Sequence, residues 1–308
     1  MFGSHLSIAG SMSNALREAE SLQLDCVQVF TKNQQQWKVK ALKDDEIQEW
    51  TSELKRLTWE HAPGKPLRSV SHASYLINLA APDDELWGKS VDLMTEEVAR
   101  CEALGIPLLV HHPGAFTTSS REDGLARITQ AYKEILKRTK GYRTILCLEN
   151  TVGSGSNMGR EFTELASLRS MILDATGAAP RVGFCFDTCH AHAGGYDMAT
   201  RDGADRVFDE FDQTCGLANL RVIHLNDSKG QMGSRRDLHA HIGEGTIGGL
   251  MKKPTSARLK ASGFGAVVNR PELRDVPKIL ETPKLTTKTG TPLDTINVAR
   301  LRRLIDAR

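Results

Sequence analysis

A single closed (β/α)8 barrel is the fold predicted for this 308-residue chain, and three observations predict it. Strand-like and helix-like patterns alternate from end to end, no Gly/Pro linker separates two halves, and six predicted strands run out at a histidine or a carboxylate. Alternation of this kind builds a parallel sheet, because each parallel crossover needs its own connection. Barrels of this type fill such a length as one unit, with the active site at the C-terminal face of the strands. A doubly wound open sheet is the structural alternative.

The elements follow in order. The first strand reads over 2–5 and ends at His5, and SMSNALREAESL (11–22) follows as a helix. A second apolar run at 25–30 leads into FTKNQQQW (30–37), and a third at 68–72 ends at His72. In DDELWGKSVDLMTEEVARCEAL (83–104) apolar residues recur at i, i+3 and i+4 with polar residues opposite. Pro82-Asp83-Asp84 is a helix start, with carboxylates over the first turn. The fourth strand, 106–111, runs into His111-His112-Pro113-Gly114, and REDGLARITQAYKEILKR (121–138) is the next helix. Consecutive strand residues face opposite sides, so one of the two histidines belongs at the rim; His112, beside Pro113-Gly114, is favoured. TILCLE (144–149) ends at Glu149, the strand at 181–187 at Asp187, LRVIH (220–224) at His224 and PKILE (277–281) at Glu281. TPLDTINVARLRRLIDA (291–307) closes the series as the last helix.

Composition narrows the class. An apolar share of 40% is enough for a core, and with a net charge of only +2 any polyanionic partner must be met by a local basic patch. There is no 18-residue apolar run and no signal-peptide pattern, so the expectation is a protein neither secreted nor membrane-spanning. Cys26, Cys101, Cys147, Cys185, Cys189 and Cys215 form no CxxC pair, and several fall inside predicted strands. Reduced, buried thiols in a cytoplasmic protein are expected.

Strand ends in one sheet lie side by side, so His72, His112, Glu149, Asp187, His224 and Glu281 converge. A carboxylate after a strand is often only a helix cap, but independent caps would seldom fall at six strands of eight. Three histidines and three carboxylates suit borderline divalent metals, zinc above all. His5 is a further polar terminus that reads equally as a supporting group. In DTCH (187–190), His190 lies three residues beyond Asp187, and it is favoured over His192. In DLHAH (237–241), Asp237, His239 and His241 alternate, so an extended segment points all three to one side. At least nine candidates exceed what one ion uses, which implies two or three. Such clusters neutralise a phosphoryl group during in-line displacement. The glycine-rich Gly153–Gly159 stretch reads as a flexible loop rather than a phosphate cradle. Gly88-Lys89-Ser90 is not a P-loop, because Asp83 stands where the first glycine is required, and neither GxGxxG before a helix nor a GxSxG elbow occurs.

Seven segments carry a family resemblance: FTKNQQQW (30–37), SHASYLINLA (71–80), HHPG (111–114), LENTVGSGSNMG (148–159), FDTCHAHAGGYD (186–197), HLNDSKGQMGSRRDLHAHIGEGTIG (224–248) and ILET (279–282). They span nearly the whole chain, which resembles the endonuclease IV family of AP (apurinic/apyrimidinic) endonucleases. The resemblance implies a TIM barrel with three zinc ions, manganese being possible at one site. It implies cutting of duplex DNA on the 5′ side of an abasic site, leaving a 3′-hydroxyl and a 5′-deoxyribose phosphate. By motif, His72 and His112 hold one ion and Glu149 bridges it to a second. Asp187, His224 and Glu281 complete the second set, and His190, Asp237 and His239 make the third. Glu149 and Glu281 are the implied catalytic residues, Glu281 orienting the nucleophile, while His5 and His241 are not implied ligands. Gln35, Gln36, Tyr75 and Leu76 are the implied DNA contacts, with Tyr75 and Leu76 wedging into the base stack as the abasic nucleotide flips out. The residues alone read Tyr75 and Leu76 as the first turn of a helix facing the core. The resemblance also implies a monomer.

Two departures stand out. Gln35 occupies a position where the family commonly has an arginine. MKKPTSARLKASGFGAVVNR (251–270) lengthens the chain beyond the family pattern with a helix broken by Pro254, Gly263 and Gly265. It carries Lys252, Lys253, Arg258, Lys260 and Arg270 and no acidic residue, and reads as a DNA-backbone contact or as a disordered insertion on the outer wall. Two other functions remain open on these residues: a metal-dependent sugar or sugar-phosphate isomerase on the same barrel, and a damaged-DNA-binding protein with impaired catalysis.

Overall fold

The computed structural model describes residues 1–306. Eight parallel strands close into a barrel: β1 (Phe2–His5), β2 (Cys26–Val29), β3 (Ser69–His72), β4 (Leu108–His111), β5 (Ile145–Glu149), β6 (Val182–Asp187), β7 (Leu220–His224) and β10 (Lys278–Leu280). A two-stranded antiparallel ribbon, β8 (Asp227–Ser228) with β9 (His239–Ala240), sits in the connection after β7. The ring is sealed by the first and last strands, with Phe2 opposite Lys278 and Ser4 opposite Leu280. Each barrel strand is followed by a helix or a helix pair. These are α1 (Ser13–Ser21), α2 (Asp44–Arg56), α3 (Asp84–Leu104), α4 (Arg121–Arg138) and α5 (Phe162–Thr176) after the first five strands. After β6 come α6 (Thr188–Gly194) and α7 (Arg201–Cys215), after β7 come α8 (Ser256–Lys260) and α9 (Gly263–Asn269), and after β10 comes α10 (Leu293–Arg302). The expected (β/α)8 barrel is the observed fold.

Two apolar layers hold it. Cys26, Val70, Leu108, Val110, Cys147, Cys185, Val222 and Ile279 form a separate cluster that fills the barrel. Their strand neighbours, such as Leu109, Leu146, Leu148, Phe184, Phe186, Ile223 and Leu280, pack outward against Trp50, Met94, Ile128, Phe162, Phe208 and Phe211 on or beside the helices. All six cysteines are buried and free, and burial pushes the Cys26 and Cys147 thiols up to about 12. Helix α3 starts where expected, with the Asp83 side chain accepting from the Leu86 N–H at 2.8 Å.

Two expectations are corrected. The last helix spans Leu293–Arg302 where 291–307 was expected, residue 307 lying outside the described residues; it starts late because a turn precedes it: the Thr287 N–H donates to the Thr291 carbonyl at 2.9 Å, and Pro292, with no N–H, becomes the N-cap. The stretch 251–270 is not disordered: α8 and α9 bury Leu259, Phe264 and Val267, with α9 packed on α7. Gly263 and Gly265 serve contact here. A Cβ on Gly263 would lie 2.6 Å from the Met198 carbonyl oxygen, and one on Gly265 2.0 Å from that of Lys260. No helix among the described residues is long and apolar enough to cross a membrane.

Candidate metal centre

Side chains alternate along a strand, so a residue two places beyond one that fills the barrel also faces the axis. Two places beyond Val70, Val110, Cys147, Cys185, Val222 and Ile279 stand His72, His112, Glu149, Asp187, His224 and Glu281. By the same count His5 follows Gly3, and Gln28 follows Cys26. The centre is therefore the uppermost layer of the barrel filling, one polar residue per strand. His111 takes the other face, where its Nε2 lies 2.6 Å from the buried Tyr132 hydroxyl.

Glu149 stands at the middle. Its Oε2 is 3.3 Å from Nε2 of both His72 and His112, and its Oε1 is 2.7 Å from His224 Nδ1. Glu281 Oε2 approaches the same His224 nitrogen at 3.2 Å, and Asp187 Oδ2 does so at 3.9 Å. Beyond β7 the connection brings in the rest, with Asp237 Oδ1 3.1 Å from His190 Nε2 and 3.3 Å from His239 Nε2. Three groups of donor atoms close enough to share an ion result: His72, His112 and Glu149; Glu149, Asp187, His224 and Glu281; and His190 and His239 with Asp187 or Asp237. Cys189 also comes within reach of Asp237 and His239. Its place inside DTCH was the available signal, but burial pushes its thiol up to about 12, against a role as thiolate.

Four of the five candidate histidines are held by one nitrogen and present the other. His72 Nδ1 is 2.8 Å from the Ala73 carbonyl, His190 Nδ1 2.9 Å from that of Asn150, and His239 Nδ1 3.2 Å from that of Glu281. His224 Nε2 is 2.8 Å from Gln28 Oε1. The buried Nε2 atoms of His190 and His239 make no hydrogen bond, near as Asp237 is, because both aim into the space between the donors. Buried polar atoms without partners are costly, and a cation in that space satisfies them. The donor set thus fits metal ions.

Three amides brace the carboxylates. Asn226 Nδ2 donates to Asp187 Oδ2 at 2.8 Å, and its Oδ1 accepts the Glu281 N–H at 2.7 Å. Asn150 Oδ1 accepts the Asp187 N–H at 2.7 Å. Gln28 Nε2 donates to Glu281 Oε1 at 2.7 Å and reaches His5 Nδ1 at 3.0 Å. Sequence reasoning had no chemical signal for these amides; only the count from Cys26 places Gln28. Asp227, also buried, accepts backbone N–H groups from Gly243, Gly245, Ile247 and Gly248 and so folds the loop that carries Asp237 and His239 onto the barrel.

Charge follows from this packing. Burial opposes the protonated forms of His72, His190 and His224, but the carboxylates around them prevail and raise all three, His224 to about 9. Burial likewise opposes ionised Glu149, Glu281 and Asp237, yet the histidines in front hold Glu149 and Glu281 well below the usual range and Asp237 at about 2. These three carboxylates are stabilised by the positive charge before them.

The loops around the mouth carry the other sequence candidates. Tyr75 does not face the core as a helical first turn would: it lies in a turn, 66% exposed, with its ring 5.8 Å from that of His72 and 5.7 Å from that of Phe30. Leu76 beside it is half-buried, and Gln35 and Gln36 are exposed on the neighbouring loop. His241 lies away from the carboxylates, its Nδ1 3.0 Å from Asn297 Nδ2. The loop 153–159 is pinned, with the Met158 N–H donating to the Gly114 carbonyl at 2.9 Å.

Comparison with known proteins agrees with this geometry. The xylose isomerase-like TIM barrel family matches residues 16–286. The chain is 41% identical to the probable endonuclease 4 of Chloroflexus aurantiacus over 306 residues, 99% of this chain and 98% of that one. It is 38% identical to the probable endonuclease 4 of Citrifermentans bemidjiense over 306 residues, 99% of each chain. Among solved structures, endonuclease IV from Thermus thermophilus superposes with a TM-score of 0.78 at 34% identity, covering 98% of both chains. A D-tagatose 3-epimerase-like protein superposes at 0.68 with 17% identity over 98% of this chain and 96% of its own, a likeness of fold alone.

Proposed function

The chain belongs to the endonuclease IV family and is a DNA-repair AP endonuclease, and from that premise we propose that it hydrolyses the phosphodiester 5′ to an abasic site in duplex DNA with three zinc ions, as a cytoplasmic monomer. The products are a 3′-hydroxyl and a 5′-deoxyribose phosphate. The observation that carries the reading is the cluster of nine donors, in which four histidines fixed by one nitrogen turn the other toward shared carboxylates.

His72 and His112 would hold one ion, Glu149 would bridge it to a second held by Asp187, His224 and Glu281, and His190, Asp237 and His239 would hold the third. When bound, the ions supply Lewis-acid polarisation of the phosphoryl group and activation of water. The carboxylate-rich second set is the one best suited to manganese. Glu149 serves two sets because its two oxygens face different histidines. Glu281 has one oxygen fixed by Gln28, which leaves the other to orient the attacking nucleophile. Tyr75 and Leu76 would wedge into the stack, and the Tyr75 ring, 5.8 Å from that of His72, supports a wedge close to the first set. Unstacking costs least where a base is already missing. Gln35 and Gln36 meet the duplex from the adjoining loop by polar contact without charge. A sugar isomerase on the same barrel has no use for His190, Asp237 and His239.

The test is a duplex with one tetrahydrofuran abasic analogue, incubated with and without chelator and resolved on a sequencing gel. A single cut 5′ to the analogue, abolished by chelator, is expected. No incision under zinc-replete conditions would sink the assignment.

A further inference from the structure

Helix α3 carries two ionisable side chains on its buried face, Glu97 (1% exposed) and Arg100 (7%), one turn apart among Val91, Met94, Val98, Cys101 and Leu104. Burying charge costs several kcal/mol per ion, and apolar residues of similar size often do as well or better for stability. What these two touch gives a reason for their presence. The Arg100 guanidinium donates to the Thr31 carbonyl through Nε at 3.1 Å and also through Nη2, and to the Lys40 carbonyl through Nη1 at 2.9 Å. It grips both ends of the loop whose tip holds Gln35 and Gln36. Both oxygens of Glu97 accept the Ser74 N–H at 3.2 Å, fixing the residue before Tyr75. Glu97 also faces Lys32 Nζ, on the first loop, at 3.8 Å, and Lys32 in turn donates to the Asn33 carbonyl at 2.8 Å. The loops touch directly as well, Ser74 Oγ donating to the Gln34 carbonyl at 2.5 Å.

We propose that Glu97 and Arg100 are positioning residues that lock the 31–40 loop and the Tyr75-Leu76 turn into one rigid unit, so that duplex capture and base-stack wedging occur together. The proposal rests on the DNA-contact reading above. Neither residue reaches the metal ligands by a hydrogen bond, so their effect falls on DNA binding rather than on metal binding or the chemical step. The unit also compensates for Gln35: a neutral side chain without long-range attraction for phosphate depends on being held in place.

Two measurements on the zinc-loaded protein test this. In hydrogen exchange, Arg100→Gln, which removes contacts to the first loop only, speeds exchange by about tenfold or more in both 31–40 and 74–78, the loss expected for a hydrogen bond to a charged group. Faster exchange confined to 31–40 overturns the coupling. In single-turnover incision of the abasic-analogue duplex, the same variant raises the half-saturating concentration by about tenfold, with the saturating rate and the zinc content within about twofold of the parent. An unchanged half-saturation, or loss of zinc, overturns the role in DNA capture. Should Arg100→Gln fail to fold, Ser74→Ala removes the loop-to-loop bond together with the bond that Ser74 Oγ accepts from the Leu76 N–H at 3.3 Å, so exchange in 31–40 is its deciding readout: faster exchange there with a raised half-saturation is expected, and no shift in 31–40 overturns the proposal. If the parent protein does not incise, the functional reading fails, and the exchange result still decides the coupling.

Discussion

At the scale of single residues, Gln28 shows how the centre selects its donor atoms. The side-chain amide has one acceptor and two donors, and all face groups of the site: Oε1 takes His224 Nε2, while Nε2 meets Glu281 Oε1 and His5 Nδ1. With the proton of His224 committed to Nε2, its Nδ1 lone pair points to the second set. Gln28→Met keeps the volume and removes the bonds. Its expected effect is about 10–100-fold weaker metal affinity confined to the set that contains His224 and Glu281, read by chelator competition with metal counting, at a melting temperature of chelator-treated protein close to the parent's. Equal weakening of every bound metal would refute it. The candidate donors that the structure brings together were legible in sequence because a histidine or carboxylate after an apolar run is conspicuous. Gln28 was not, because CVQVF reads as an ordinary strand and the partners of Gln28 lie at His5, His224 and Glu281.

At the scale of elements, α3 does two jobs, closing the barrel wall and holding the two loops. Burial pushes the Glu97 carboxyl up to about 7 against the pull of Lys32 and the Ser74 N–H. The folded protein therefore keeps a proton that an unfolded chain, with its carboxyl near 4.5, has already released. That contribution to stability is whole below about 4.5 and is lost as pH rises through about 7. Glu97→Gln lacks it, so the melting-temperature advantage of the parent over this variant should shrink between pH 5 and pH 8; an advantage that grows with pH contradicts the assignment. Strand positions were readable to within two residues, since short apolar runs ending in polar ones leave little freedom. The end of α10 and the α8–α9 pair were not. Pro254, Gly263 and Gly265 look like breaks, and only the neighbouring Met198 and Lys260 carbonyls show that the glycines permit contact.

At the scale of the whole molecule, a net charge of +2 leaves DNA attraction to particular patches. In the 251–270 stretch, Arg270 is paired with Asp205, Asp209 and Glu272, and Lys260 with Asp306. Lys252 and Lys253 make no ion pair among the described residues, and both are exposed. Reversing both to glutamate is expected to lower the slope of log affinity against log salt by about two, close to one per phosphate contact; an unchanged slope means that this stretch does not touch the backbone. The barrel itself and its donor layer were legible from alternation and strand ends, whereas the pairing of surface charges depends on which helices meet and leaves no local trace. The seam between β1 and β10 has a consequence in time. Eight of the nine donors are synthesised by residue 239, yet the ring has no final stave and the second set no Glu281 until about forty residues later. A chain still emerging from the ribosome is a nuclease without an edge, and it is armed only when its last strand docks on its first.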